Sequence, residues 1–408
     1  MLHPDLFPFG ASILKLPVDG AAFAASTTDL EAAEPARPGQ EDRMTDRTTG
    51  ADVATDRPPS MTQSTLGRGG PRVSWLGLGT MTFGVETDEV VAHEQLDAYV
   101  RHGGTFVDTA DVYGAGESER IIGRWIERRG GIDDLVLATK GRFGPAPDSH
   151  GASRRSLTRA LEGSLERLGL DAVDLYLVHG WDPHTPVVRT LETLGDLVAR
   201  GRIRHVGWSN VTGWQLQRIV STARHEGLPV PVALQPQYNL LDRGIELEVL
   251  PCCLEEEIGL TPWSPLGGGW LTGKYRRGER PAGASRLGED PARGVEAHAL
   301  RDTERTYRIL DVQRALAERL GCSPAHVALA WLRSRPGVAS VLLGARTLGQ
   351  LAHDLEAADL VLDEAAMTAL SEVSAPGLPP YPYGMLEELC EMDVWRRLAT
   401  RATESARS

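Results

Sequence analysis

From about residue 65 onward, apolar positions fall into two alternating spacings. Short apolar runs at 75–79, 105–108, 135–139, 172–178, 203–208, 232–235, 260–263 and 338–343 read as buried strands. Stretches of helical period separate them. In the stretch 154–168, Leu157, Leu161, Leu165 and Leu168 recur behind the N-cap Ser153. In 89–102, Val90, Val91, Leu96 and Val100 form the apolar side, and Gly103-Gly104 ends the helix. The same reasoning predicts helices at 117–129, 187–200, 212–226, 245–257, 304–320, 325–334 behind Ser323-Pro324, and 348–357, with a last one at 364–373. Two short extended segments flank Gly67 to Pro71, which signals a hairpin.

Eight strands, each followed by helix, predict an α/β fold: a (β/α)8 TIM barrel with an N-terminal β-hairpin and an extra C-terminal helix. A doubly wound sheet would give fewer strands or two domains. The barrel is expected over 61–375, with a tail at 376–408. Residues 1–60 hold ten acidic and five basic residues with no sustained period. They read as a disordered extension, or as sequence upstream of a true start at Met44 or Met61.

Composition narrows the function. The chain has 408 residues, 41% hydrophobic, and a net charge of −13, without a basic stripe, so no nucleic-acid partner is expected. No apolar run is long enough to span a bilayer. The four cysteines, Cys252, Cys253, Cys322 and Cys390, form no C-x-x-C pair, so no metal site is expected. So few cysteines in so long a chain fit a reducing, cytoplasmic setting. The oligomeric state is not legible.

Chemistry in such a barrel collects at the C-terminal ends of the strands. There stand Gly79, Thr80 and Met81; Asp108 and Tyr113; Lys140; His179; Ser209 and Asn210; Gln235; Trp263, Ser264 and Pro265; and Gly344 with Arg346. Asp, Tyr, Lys and His converging on one rim make a proton-transfer set. An ammonium near the phenol is expected to lower its pKa, and Asp108 to hold that ammonium. Taken singly, each residue reads more simply as a cap, a turn aromatic, a solvated charge or a packing histidine. Four at successive strand ends read as a site.

These motifs resemble the aldo-keto reductase family over about residues 61–373. The resemblance rests on Phe106-Val107-Asp108-Thr109-Ala110-Asp111 with Tyr113-Gly114, Ala138-Thr139-Lys140, Asp174 to His179, Gly207 to Asn210, Gln235 to Asn239, Trp263 to Gly267 and Gly344 to Thr347. It implies a catalytic tetrad of Asp108, Tyr113, Lys140 and His179, and reduction of an aldehyde or ketone. It also implies NADP(H) lying across the barrel mouth, since no Gly-x-Gly-x-x-Gly follows the first strand. By the same resemblance Gly79, Thr80, Met81 and Asp108 border the cofactor. Trp263 stacks on the nicotinamide, and Ser209, Asn210 and Gln235 bind its carboxamide. Ser264, Pro265, Leu266, Gly267 and Gly268 meet the pyrophosphate, with Lys274 and Arg286 adding charge. Gly344, Arg346 and Gln350 address the adenosine 2′-phosphate, and Asp354 the adenine. The family commonly carries an acidic residue followed by Asn where this chain has His353-Asp354. Met81, Phe83, Phe143, Trp181 and Trp270 are expected to wall an apolar or ring-binding substrate pocket. The chain also resembles potassium-channel β subunits, which would make it a nucleotide-sensing module; those subunits look to have Asn where His179 stands, which favours an enzyme.

Overall fold

The computed structural model describes residues 61–144, 150–283, 286–290, 292 and 294–390. The expected extension at 1–60, the end of the tail from 391, and the side chain of Arg286 lie outside the described residues.

A hairpin comes first, β1 (Gln63–Thr65) antiparallel to β2 (Arg72–Ser74). Its turn leans on the barrel floor. A Cβ on Gly67 (φ 66°) would lie 2.1 Å from the Val232 carbonyl oxygen, so only glycine fits. Eight parallel strands follow: β3 (Leu76–Gly79), β4 (Phe106–Asp108), β5 (Val136–Gly141), β6 (Val173–Val178), β7 (Ile203–Ser209), β8 (Ala233–Gln235), β9 (Gly259–Leu260) and β10 (Val341–Leu343). They pair in chain order, and β10 pairs with β3. The seam between β9 and β10 closes through Leu260, whose N–H donates to Gly337 O (2.7 Å) and whose carbonyl accepts from Ala339 N (2.9 Å). Inside, Phe106, Ala138, Leu175, Leu177, Ala233 and Leu342 pack with Leu66 and Val73 of the hairpin, which plugs the lower end.

The outer helices are α1 (Glu89–Arg101), α2 (Glu117–Arg129), α3 (Arg154–Leu168), α4 (Val187–Ala199), α5 (Gly213–Glu226), α6 (Val249–Glu255), α7 (Arg286–Glu289), α8 (His298–Arg301), α9 (Glu304–Leu320), α10 (Pro324–Arg333), α11 (Leu348–Leu355), α12 (Glu364–Val373) and α13 (Met385–Cys390). The Ser153 hydroxyl caps α3 by accepting from Ser156 N, as expected.

Two expectations shift. The helix predicted at 245–257 splits into a 3₁₀ turn, Gly244–Glu246, and α6. Pro251 has no N–H to donate and is tolerated only in a first turn, so the α-helix starts at Val249. The strand predicted at 260–263 shortens to β9, because Pro262 cannot donate to a ladder.

Candidate active site

The site is assembled at the upper rim from β4, β5, β6 and the loop after β4. Asp108 ends β4 and is 2% exposed; Lys140, within β5, is fully buried. Lys140 Nζ donates to Asp108 Oδ2 (2.6 Å), to the Thr109 carbonyl (2.7 Å) and to Tyr113 Oη (3.2 Å). Three donors meet three acceptors, so the ammonium is saturated. Asp108 Oδ1 accepts from Gln235 Nε2 (2.9 Å), a link across the barrel that sequence reasoning missed. Tyr113 opens a 3₁₀ turn (Tyr113–Gly116) that carries left-handed Gly114 and Ala115. That turn brings the phenol back over Lys140, whose Nζ lies 4.7 Å from the ring centre. His179 follows β6. Its ring meets Tyr113 edge to face at 6.0 Å and Phe143 at 5.2 Å. Its Nδ1 is buried with no partner.

Electrostatics correct one expectation. Burial raises the Tyr113 pKa above its usual 10, and the lowering pull of Lys140 does not outweigh it. The phenol is therefore a protonated donor in this state. Burial works against charge on Lys140, but Asp108 and then Tyr113 outweigh it, so its pKa rises and it stays an ammonium. Burial, then Lys140 and Arg142, hold His179 well below its usual 6.5, so it is a neutral imidazole. Asp111 shares the loop. It is 4% exposed, neither carboxylate oxygen has a partner, and burial followed by the Glu119 charge raises its pKa to about 7.

The remaining predicted residues divide. Ser209 Oγ donates to the Gln235 carbonyl (2.7 Å), and Thr80 Oγ1 to the Asp108 carbonyl (3.0 Å), so both brace the rim. Gly79 closes β3, and Met81 is exposed beside it. Trp263 Nε1 donates to Asn210 Oδ1 (3.1 Å), joining the loops after β7 and β9. Past Pro265 and Leu266, Gly267, Gly268 and Gly269 all take positive φ (58°, 63°, 91°). Lys274 lies near, its Nζ 5.1 Å from the Tyr275 ring centre. Gly344 is exposed at the end of β10. The next loop residue but one, Arg346, grips both oxygens of Glu289 at 2.9 Å, and its backbone N–H donates to Gln350 Oε1 (2.9 Å). Burial raises the Asp354 pKa to about 7.

Two pocket expectations fail. Trp270 is fully buried, stacked on His298 at 5.0 Å and packed against Tyr275 and Tyr307. Phe83 is fully buried in the main core. Both were drawn from rim position alone; their rings face inward, so they anchor loops and wall no pocket. Phe143 is 38% exposed beside His179, and Trp181 is half-buried against the exposed Trp214 (5.5 Å). Trp214 was missed because its helical position gives it no strand-end signal.

Sequence reasoning also passed over Arg301. Its guanidinium is 4% exposed and holds Asp242 Oδ2 through Nη2 (2.5 Å). Its Nε and Nη1 have no partner, and Nη1 would stand 3.2 Å from a Cβ on Gly267. A buried cation with spare donors against a glycine run that a Cβ would crowd suits an anionic group such as a diphosphate.

The profile of the aldo/keto reductase family matches residues 75–375. The chain belongs to the aldo/keto reductase family. Its relatives include the oxidoreductase YrpG of Bacillus subtilis, 36% identical over 323 residues, covering 76% of this chain and 94% of YrpG. Protein tas of Escherichia coli is 34% identical over 342 residues, covering 76% and 96%. A probable voltage-gated potassium channel subunit beta of Oryza sativa is 36% identical over 305 residues, covering 74% and 92%. The family is one of oxidoreductases, and the fold seen here is its (β/α)8 barrel. No helix among the described residues is long and apolar enough to cross a membrane.

Proposed function

We propose that the chain is an NADP(H)-dependent reductase of aldehydes or ketones, with Tyr113 as proton donor. The observation that carries this reading is the contact of a saturated, buried Lys140 with the Tyr113 hydroxyl (3.2 Å). When bound, the dinucleotide supplies the hydride. Everything else falls to the chain. Tyr113 Oη gives its proton to the substrate oxygen as negative charge grows there. The Lys140 ammonium, fixed by Asp108, stabilises the phenolate left behind. Neutral His179, beside Tyr113, can orient the carbonyl by donating a ring N–H to its oxygen. Spare donors on Arg301 would receive the diphosphate, together with the charge of Lys274, where the glycines after Ser264 and Pro265 let the backbone approach closely. Arg346 offers a fork for a 2′-phosphate once Glu289 releases it, which supports NADP over NAD. Phe143 and Trp181 give the pocket an aromatic side, which suits a ring-bearing carbonyl compound.

The relative named as a channel subunit motivates a second reading, a nucleotide-binding module with feeble catalysis. His179 argues against it, because it supplies a hydrogen-bonding group at the reacting centre. Stopped-flow oxidation of NADPH with a panel of aldehydes and ketones separates the two. Repeated turnover is expected. A single slow, stoichiometric decay with every carbonyl would overturn the reductase reading.

A further inference from the structure

Beyond the rim, two imidazoles and a carboxylate meet on the outer helices. His326 lies in the first turn of α10, 6% exposed, with its backbone N–H held by the Ser323 cap (3.2 Å). His353 lies near the end of α11, and Glu356 begins the 3₁₀ turn that follows. One ring nitrogen of each histidine and one oxygen of Glu356 all lie within 4.8 Å of one another. His353 Nδ1 is 3.8 Å from Glu356 Oε2, and the two rings lie 4.4 Å apart, tilted by 32°.

We propose that His326, His353 and Glu356 form a binding site for a transition-metal dication such as Zn2+. Two nitrogens and one carboxylate oxygen are a donor set that zinc accepts, with remaining positions open to water. The ligand atoms stand somewhat wider apart than around a bound zinc ion, and two of the three ligands, His353 and Glu356, are exposed enough to close by rotation.

The surroundings fit as well. His326 Nε2 lies 2.6 Å from the His353 carbonyl oxygen. A carbonyl only accepts, so Nε2 carries the hydrogen and Nδ1 keeps the lone pair of a neutral ring. A ligating imidazole is commonly fixed this way, by donating its other N–H to a backbone carbonyl. Cysteine spacing gave no sign of such a site, because the two histidines are 27 residues apart and meet only in the folded helix pair.

The test is calorimetric titration of ZnCl2 into the full, untagged chain in a non-chelating buffer. The wild type is expected to bind one Zn2+ saturably and to melt at higher temperature with it. His353→Ala and Glu356→Gln change exposed positions and leave the core intact. Each is expected to weaken binding by about 10- to 100-fold, and the pair to abolish both heat and melting shift. His225→Ala, at an exposed position of α5, is expected to bind as the wild type does. Failure of the wild type to bind one equivalent, or binding by the double variant as tight as wild type, would overturn the site.

Discussion

Replacing Lys140 with Met separates what the buried ion pair does for the fold from what it does for the chemistry. The methionine keeps the length and apolar bulk of the lysine and removes only the ammonium. Asp108, 2% exposed, is then left with Gln235 as the one side-chain partner it has here. Stranding a buried carboxylate in this way costs about 3–5 kcal/mol. Asp108→Asn in the same chain replaces the stranded charge with a neutral amide. The double variant is therefore expected to recover most of that loss while remaining inactive, because the phenolate still has no ammonium beside it. Urea unfolding of the wild type, both single variants and the double variant gives the cycle directly. If Lys140→Met unfolds within about 1 kcal/mol of wild type, or if the double variant is no more stable than Lys140→Met, the reasoning about a saturated, dry ion pair is refuted.

Asp111 predicts a pH dependence of stability. Its pKa rises from 3.8 to about 7 on folding, so the native state holds a proton that the unfolded chain gives up from about pH 4 upward. Stability is therefore lost as pH rises, by at most about 4 kcal/mol once above pH 7. Asp111→Asn removes that slope. Urea unfolding at pH 5 and pH 8 should show the variant gaining on the wild type at the higher pH, and a difference independent of pH would refute it. Trp270→Ala should cost about 3–5 kcal/mol of stability and leave KM unchanged, since the ring lies in the core. Trp181→Ala should do the reverse, raising KM with little loss of stability; steady-state kinetics beside thermal melts check both.

The barrel was legible because strand and helix alternate in period, and because caps such as Ser153 and Ser323-Pro324 mark helix starts locally. The meeting of Asp108, Tyr113 and Lys140 was legible for the same reason, since strand order alone carries residues 27 to 32 positions apart onto one rim. What stayed hidden depends on direction and depth. Trp270 and Phe83 sit at the right height, but the backbone turns their rings inward. Arg301 ends α8, a single turn too short to show a period in the sequence, so nothing there announces that its guanidinium ends behind Gly267. The sign of the Tyr113 shift was missed for a related reason: residue types name the charges nearby, while burial, which dominates here, is known only once the chain is packed.

The central claim is that Tyr113 delivers the proton in a reduction driven by bound NADPH. Tyr113→Phe removes one oxygen atom and keeps the ring against His179 and Lys140. The most direct measurement pairs NADPH affinity, read by fluorescence titration, with turnover of the best carbonyl substrate in that variant. Affinity within about twofold of wild type together with turnover reduced by about 10²- to 10⁴-fold is the predicted result. Turnover equal to wild type would contradict the account.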